Sequence, residues 1–234
     1  MTFSRFLKNG AAAGLLATAL ILPACADESP KVIPAAQFDA PKSQGAATTE
    51  TAVLSGGCFW GMQGVFEHLK GVSQVVSGYA GGASATAQYE TVSGGDTGHA
   101  ETVKITFDPR QVSYGEILRV YFSVAHDPTE LNRQGPDEGT QYRSDIWYTN
   151  DMQKKIADAY IRQLGAAHVF GAPIVTRVDA YRGFYAAEGY HQDYLIHNPY
   201  APYIVYNDLP KIAAFKRLYA GYYRETPVMV GGRS

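Results

Sequence analysis

The stretch Thr51-Ala52-Val53-Leu54-Ser55-Gly56-Gly57-Cys58-Phe59-Trp60-Gly61-Met62 decides how this chain is read. Thr51-Ala52-Val53-Leu54 is a short apolar run of the kind that forms a buried strand. Met62, Val65, Phe66 and Leu69 then recur at helical spacing until Lys70-Gly71 ends the pattern. Gly56 and Gly57 let the backbone turn sharply between the two, which puts Cys58 at or just before the helix N-terminus. Unpaired N–H groups and the helix dipole at that end favour an anion and predict a lowered thiol pKa. Phe59 and Trp60 supply apolar walls. A lone cysteine is most often a small buried hydrophobe, but a structural cysteine has no need of this setting. The run predicts a nucleophile that reads an apolar group.

Upstream, Arg5 and Lys8 precede an apolar segment over residues 11–22, too short to span a bilayer comfortably. Residues 1–26 therefore read as an export signal, and two fates stay open. Ala24-Cys25-Ala26 is a small-x-small cleavage site, whereas Leu22-Pro23-Ala24-Cys25 is similar to a bacterial lipobox that would lipidate Cys25. The expected location is the bacterial periplasm, or the envelope as a lipoprotein, with Cys25 lipidation as the only route to the membrane. Residues 27–50 are rich in Ala, Pro, Ser, Gln and Thr without apolar periodicity and read as a flexible linker. One catalytic domain is expected over 51–223, with a tail over 224–234. If Cys25 is removed or lipidated, Cys58 is the single thiol left. An oxidising compartment usually selects paired cysteines or none, so a retained thiol points to function.

A chain of 234 residues with 46% hydrophobic content suffices for one sizeable domain. A formal net charge of −2 argues against a nucleic-acid partner. The 17 tyrosines suit an aromatic-walled cleft. Alternation predicts strands over 72–79 and 101–107, and shorter ones over 146–148 and 174–178. Helical spacing predicts helices over 114–124 and 151–165, the latter capped by Asn150 or Asp151. Residues 185–198 read as helix then loop, and 210–222 as a final helix or turn. Irregular alternation of these elements predicts an α+β or mixed two-layer fold rather than a doubly wound sheet.

The cysteine run resembles the active-site signature of the type A methionine sulfoxide reductases, and three further blocks follow in the family's order. They are Tyr89-Glu90-Thr91-Val92 with Gly94-Gly95-Asp96-Thr97-Gly98-His99-Ala100-Glu101; His126-Asp127-Pro128 with Asn132-Arg133-Gln134-Gly135, Asp137 and Gly139-Thr140-Gln141-Tyr142-Arg143-Ser144; and His191-Gln192-Asp193-Tyr194-Leu195 with Asn198-Pro199. The resemblance implies a two-layer α+β sandwich with a small mixed sheet. It implies Cys58 as nucleophile and Glu101 as the acid that protonates the sulfoxide oxygen. Phe59 and Trp60 would hold the S-methyl group, Tyr89 and Tyr142 would donate to the oxygen, and Asp137 would support the site. The implied activity is thiol-dependent repair of the S epimer of methionine sulfoxide, in proteins and also free, through a sulfenic acid on Cys58. No bound cofactor is implied. The implied partners are oxidised proteins and an external thiol such as thioredoxin or a glutaredoxin-like protein, acting on a monomer.

Those residue types fit the chemistry. A sulfoxide sulfur is a poor electrophile until its oxygen is protonated or strongly hydrogen-bonded, so a carboxylic acid must keep its proton near neutral pH, as burial allows. Many relatives carry C-terminal cysteines that resolve the sulfenic acid, whereas residues 198–234 hold none. A one-cysteine cycle follows as an expectation. Two other chemistries compete. Cys58 with His191 and Asn207 loosely echoes a papain-like hydrolase, although no Gln lies between Ala52 and Gly57 to supply an oxyanion donor. His99-Ala100-Glu101 has a zinc-deaminase pattern without its Pro-Cys-x-x-Cys partner. An envelope module with an aromatic peptide groove is the non-enzymatic alternative.

Overall fold

The computed structural model describes residues 1, 29–42 and 49–230; the expected signal segment and Cys25 lie outside the described residues. The apolar run expected as a strand is β1 (Glu50–Ser55), and the helix after the glycines is α1 (Phe59–Glu67), with Cys58 as its N-cap residue. Gly57 makes the turn at φ +84°. A Cβ there would lie 2.5 Å from the Gln134 side chain, so only glycine fits.

The strands β2 (Val72–Ala80), β3 (Ala100–Phe107), β6 (Asp145–Tyr148), β7 (Arg177–Ala180) and β8 (Phe184–Ala186) join β1 in one sheet of order β7-β6-β1-β3-β2-β8. All pairings are antiparallel except β6 with β7, so the sheet is mixed. The short strands β4 (Arg133–Gln134) and β5 (Asp137–Glu138) form a separate hairpin. Helix α1 packs against β2 and β3, burying Met62, Val65 and Phe66 on Val75, Val103 and Ile105. Helices α3 (Tyr114–Val120), α4 (Asp151–Ala166) and α6 (Leu209–Leu218) complete the layer. The architecture is the expected α+β one.

Local capping chemistry sets several ends. Ser113 and Glu116 form a capping box on α3, and Asn150 accepts from Gln153 N–H to start α4. Other boundaries differ from the periodicity. The helix expected over 114–124 widens into a π-turn over Tyr121–Ala125, after which the His126 ring lies tilted at 31° against Tyr121, 4.0 Å between centroids. Residues 185–198 form β8 and then two short turns of helix, not one helix, because Asp193 sits at φ 54° and interrupts it.

Residues 29–42, expected as loose linker, run extended across the helical layer. Ile33 is 1% exposed, its N–H donates to Tyr219 Oη and its carbonyl accepts from Arg119 Nε. Tyr160 and Gln163 of α4 bond the carbonyls of Pro34 and Ala35, and Asp39 accepts from Ser113 Oγ and Gly115 N–H at the start of α3. A strap without secondary structure has no periodicity to betray it, because other elements satisfy its backbone. The expected tail is likewise packed over 224–230: Arg224 N–H bonds His68 O, Val228 N–H bonds Glu67 O, and Val230 N–H bonds Asp193.

Candidate active site

Strand β1 stops at Ser55 while its neighbour β3 begins at Ala100, and Leu54 pairs with Val103. Glu101 therefore stands beyond the end of β1, facing the N-terminus of α1. Its Oε2 accepts from Phe59 N–H at 2.9 Å, one of the unpaired donors of the first helical turn. Burial pushes Glu101 up to about 8, the Phe59 N–H pulls it back, and the charges of Asp137 and Asp208 push it further. At neutral pH this carboxyl holds a proton.

Cys58 is 8% exposed and lines a groove with His126, Asp137, Tyr203, Tyr206 and Lys211. Its thiol is pushed well up by burial and by Glu101, Asp208 and Asp137, and the Trp60 N–H only partly offsets this. The lowered pKa expected from the helix dipole is thus reversed. The dipole is there, but burial outweighs it, with Asp208 and Asp137 adding to the rise and Glu101 adding once it ionises. Cys58 is held in its thiol form.

Aromatic side chains surround it. Phe59 is buried against Tyr79 and His191, with centroids at 5.9 and 5.0 Å. The Trp60 indole stacks on Tyr194 at 3.8 Å and 12°, meets Tyr203 edge-on at 5.7 Å, and donates from Nε1 to His191 Nδ1 at 3.1 Å. That bond occupies His191, and Asn207 spends its amide on Tyr203 O, so neither is arranged as a hydrolase base and its orienter. Tyr89 opens α2 (Tyr89–Val92), a helix the sequence reading lacked, with its ring 4.5 Å from His191. Burial raises the Tyr89 and Tyr142 phenols, and both feel the charges of Glu101 and Cys58, so each stays a neutral donor in this site. Asp137, on β5, accepts from Tyr203 Oη; burial pushes it up.

All seven residues expected at the site, Cys58, Phe59, Trp60, Tyr89, Glu101, Asp137 and Tyr142, converge at this end of the sheet. The sequence reading missed Tyr203, Asp208 and Lys211. Asp208 is wholly buried, and its Oδ1 lies 2.1 Å from where a Cβ on Gly61 would stand. Lys211 Nζ lies 3.5 Å from that oxygen. Only Pro210 and Lys211 of the run 203–211 fell in the segment read as a final helix or turn, and only Asn207 was weighed with Cys58, in the hydrolase reading. His191 and Tyr194 fell inside a quoted block without a role in the reductase reading.

A family model described as Peptide methionine sulfoxide reductase matches residues 50–222. The chain is 62% identical over 182 residues to Peptide methionine sulfoxide reductase MsrA 2 of Mesorhizobium japonicum, covering 78% of this chain and 93% of that one. It is 51% identical over 191 residues to the protein of the same description from Synechocystis sp., covering 81% and 89%. Among solved structures it is similar to Mxr1 from Saccharomyces cerevisiae in reduced form, with a TM-score of 0.58 and 32% identity over 65% of this chain and 87% of that one. Methionine sulfoxide reductase A of Corynebacterium diphtheriae superposes with a TM-score of 0.56 at 36% identity, covering 66% and 78%.

Proposed function

The chain belongs to the peptide methionine sulfoxide reductase family, and we propose that Cys58 and Glu101 carry its reaction on the S epimer of methionine sulfoxide in exported proteins. It is an oxidoreductase that reduces methionine sulfoxide at the expense of thiols. The observation that carries the residue assignment is a buried carboxyl, proton-bearing at neutral pH, bonded to the helix turn that presents Cys58.

The steps follow from the geometry. Trp60 and Phe59 take the S-methyl group, while the phenols of Tyr89 and Tyr142 and the proton of Glu101 meet the sulfoxide oxygen. Protonation makes sulfur electrophilic, and Cys58 Sγ attacks it as the thiol proton passes to the carboxylate just formed on Glu101. A further proton from Glu101 lets the oxygen leave as water when the S–O bond breaks, so Sγ stays bonded to a positively charged methionine sulfur. Water then attacks Cys58 Sγ and passes its proton to Glu101; the S–S bond breaks with its electron pair going to the methionine sulfur, methionine leaves, and Cys58 is left as sulfenic acid. Atoms balance: thiol plus sulfoxide gives sulfenic acid plus thioether. An external thiol condenses with the sulfenic acid, releasing water, and a second thiol frees Cys58. A thioredoxin-like or glutaredoxin-like dithiol supplies both. Free methionine sulfoxide is a second substrate, and the protein acts as a monomer. Export through the basic and apolar start of the chain supports a periplasmic or lipid-anchored location.

Turnover of the two resolved epimers with a dithiol reductant tests this. Loss of the S epimer alone, abolished in Cys58→Ser, is the expected result; turnover of neither epimer overturns it. Intact mass after substrate without reductant should show a gain of one oxygen, whereas loss of two hydrogens would mean an intrachain disulfide.

A further inference from the structure

The site holds three carboxyl groups around one thiol: Glu101 on β3, Asp137 on β5 and Asp208 at the start of α6. The reaction needs one proton, and it needs it on Glu101. Something must decide which carboxyl carries it.

Lys211 is placed to decide. Its Nζ lies 3.5 Å from Asp208 Oδ1, and it would be 3.3 Å from a Cβ on Gly61, so it sits over the first turn of α1. It lines the groove with Cys58, His126 and Asp137. Asp208 is fully buried, and neither of its oxygens has a hydrogen bond of good geometry, so Lys211 is the cation that answers its charge. Gly61 is required for this contact, since any side chain there would displace the Asp208 carboxyl. The other groups facing the cluster are the Tyr142 and Tyr203 phenols, His126, which burial lowers to about 3 and so leaves neutral, and Lys31, which also lines the groove.

We propose that Lys211 is a positioning residue for the reaction's proton: by holding Asp208 and Asp137 charged, it leaves Glu101 as the carboxyl that carries the proton beside Cys58. Burial raises all three, but the Lys211 charge pulls Asp208 back to about 6 and also lowers Asp137, whereas Glu101 stays near 8. Without the cation, Asp208 competes with Glu101 for the proton. This rests on the assignment of Cys58 and Glu101 above.

The experiment compares Lys211→Met, Lys211→Arg and Asp208→Asn in two measurements. The first is the pH dependence of Cys58 alkylation by iodoacetamide, which needs no turnover and so stands apart from the proposed reaction. Asp208→Asn removes a negative charge from the thiol's surroundings and should move its apparent pKa down by about one unit, roughly tenfold faster alkylation at fixed pH. Lys211→Met removes the cation and lets Asp208 take a proton, so both charges go together and the apparent pKa should move by less than it does in Asp208→Asn. The second is the pH profile of sulfoxide reduction. Lys211→Met should lower kcat about tenfold with KM little changed, and alter the profile between about pH 6 and 8. Lys211→Arg should restore both. An upward alkylation shift of about one unit in Lys211→Met would overturn the proposal, since it would mean that Asp208 stays charged without the cation. So would a Lys211→Met loss with an unchanged pH profile that Arg fails to rescue, since that is a merely structural role.

Discussion

The two ends of α1 each bury an acid, and burial is the first cause of the raised pKa at both. Glu101 faces the N-terminal end and is pushed up to about 8; Glu67, in the last turn, is pushed up to about 10. The larger shift belongs to the group with no place in the chemistry. Glu67 lies against Asp193 without a well-formed hydrogen bond, closed over by residues 228–230, whose N–H groups bond Glu67 O and the Asp193 carboxyl. Glu101 instead has a helix N–H on its carboxylate, two phenols that feel its charge, and Cys58 on an open groove. A displaced pKa thus marks burial first; access and a reacting neighbour mark function.

Substitution at the two ends should separate them most sharply. Glu101→Gln keeps the shape and removes the acid, so kcat should fall by roughly 10²–10⁴-fold, the usual worth of a placed proton donor. Glu67→Gln should leave kcat within about threefold, as steady-state reduction of the S sulfoxide will show. A comparable loss in both would erase the distinction.

The wild-type pH profile comes next. The acid form of Glu101 is the active one, so the rate of the sulfoxide-reducing half-reaction should decline as pH rises through about 8. Glu67, at about 10, should leave no limb in that profile.

Stability should show both acids. A carboxyl whose folded pKa lies above its unfolded value of about 4.3 contributes stability that is fully present below that value and lost as pH rises through the folded one. Thermal unfolding followed from pH 5 to 10 should therefore show a declining Tm. Glu101→Gln should flatten the part below about 8, and Glu67→Gln the part that extends to about 10. The smallest effect is expected from ending the chain after Pro227. That uncovers the Glu67–Asp193 pair and removes two backbone bonds, at a cost of about 1–2 kcal/mol with kcat unchanged. A large loss of kcat would show that the two ends of α1 are coupled.

Sequence pattern carried the β1–α1 junction because both elements are strongly periodic and meet at two glycines. It carried the ordered blocks that converge on Cys58, and the α4 cap at Asn150, since a capping side chain acts on a neighbour in sequence. The strap over 29–42 was illegible, because Ile33 is buried by Tyr219 and Arg119, partners far along the chain. The interruption at Asp193 was hidden too, since nothing in composition marks a left-handed aspartate.

The sequence by itself determined where Cys58 stands, at a helix N-terminus, and singled out Glu101 as the proposed acid. Local backbone chemistry and ordered motifs are properties of the chain alone. Only the tertiary structure decided the charge state of the Cys58 thiol. Residues 101, 137 and 208 come from three separate elements, and their fields on Cys58 exist only once the fold has brought them together and removed the water between them. It also placed Lys211 among them, a cation that in sequence is one more lysine near the start of a helix.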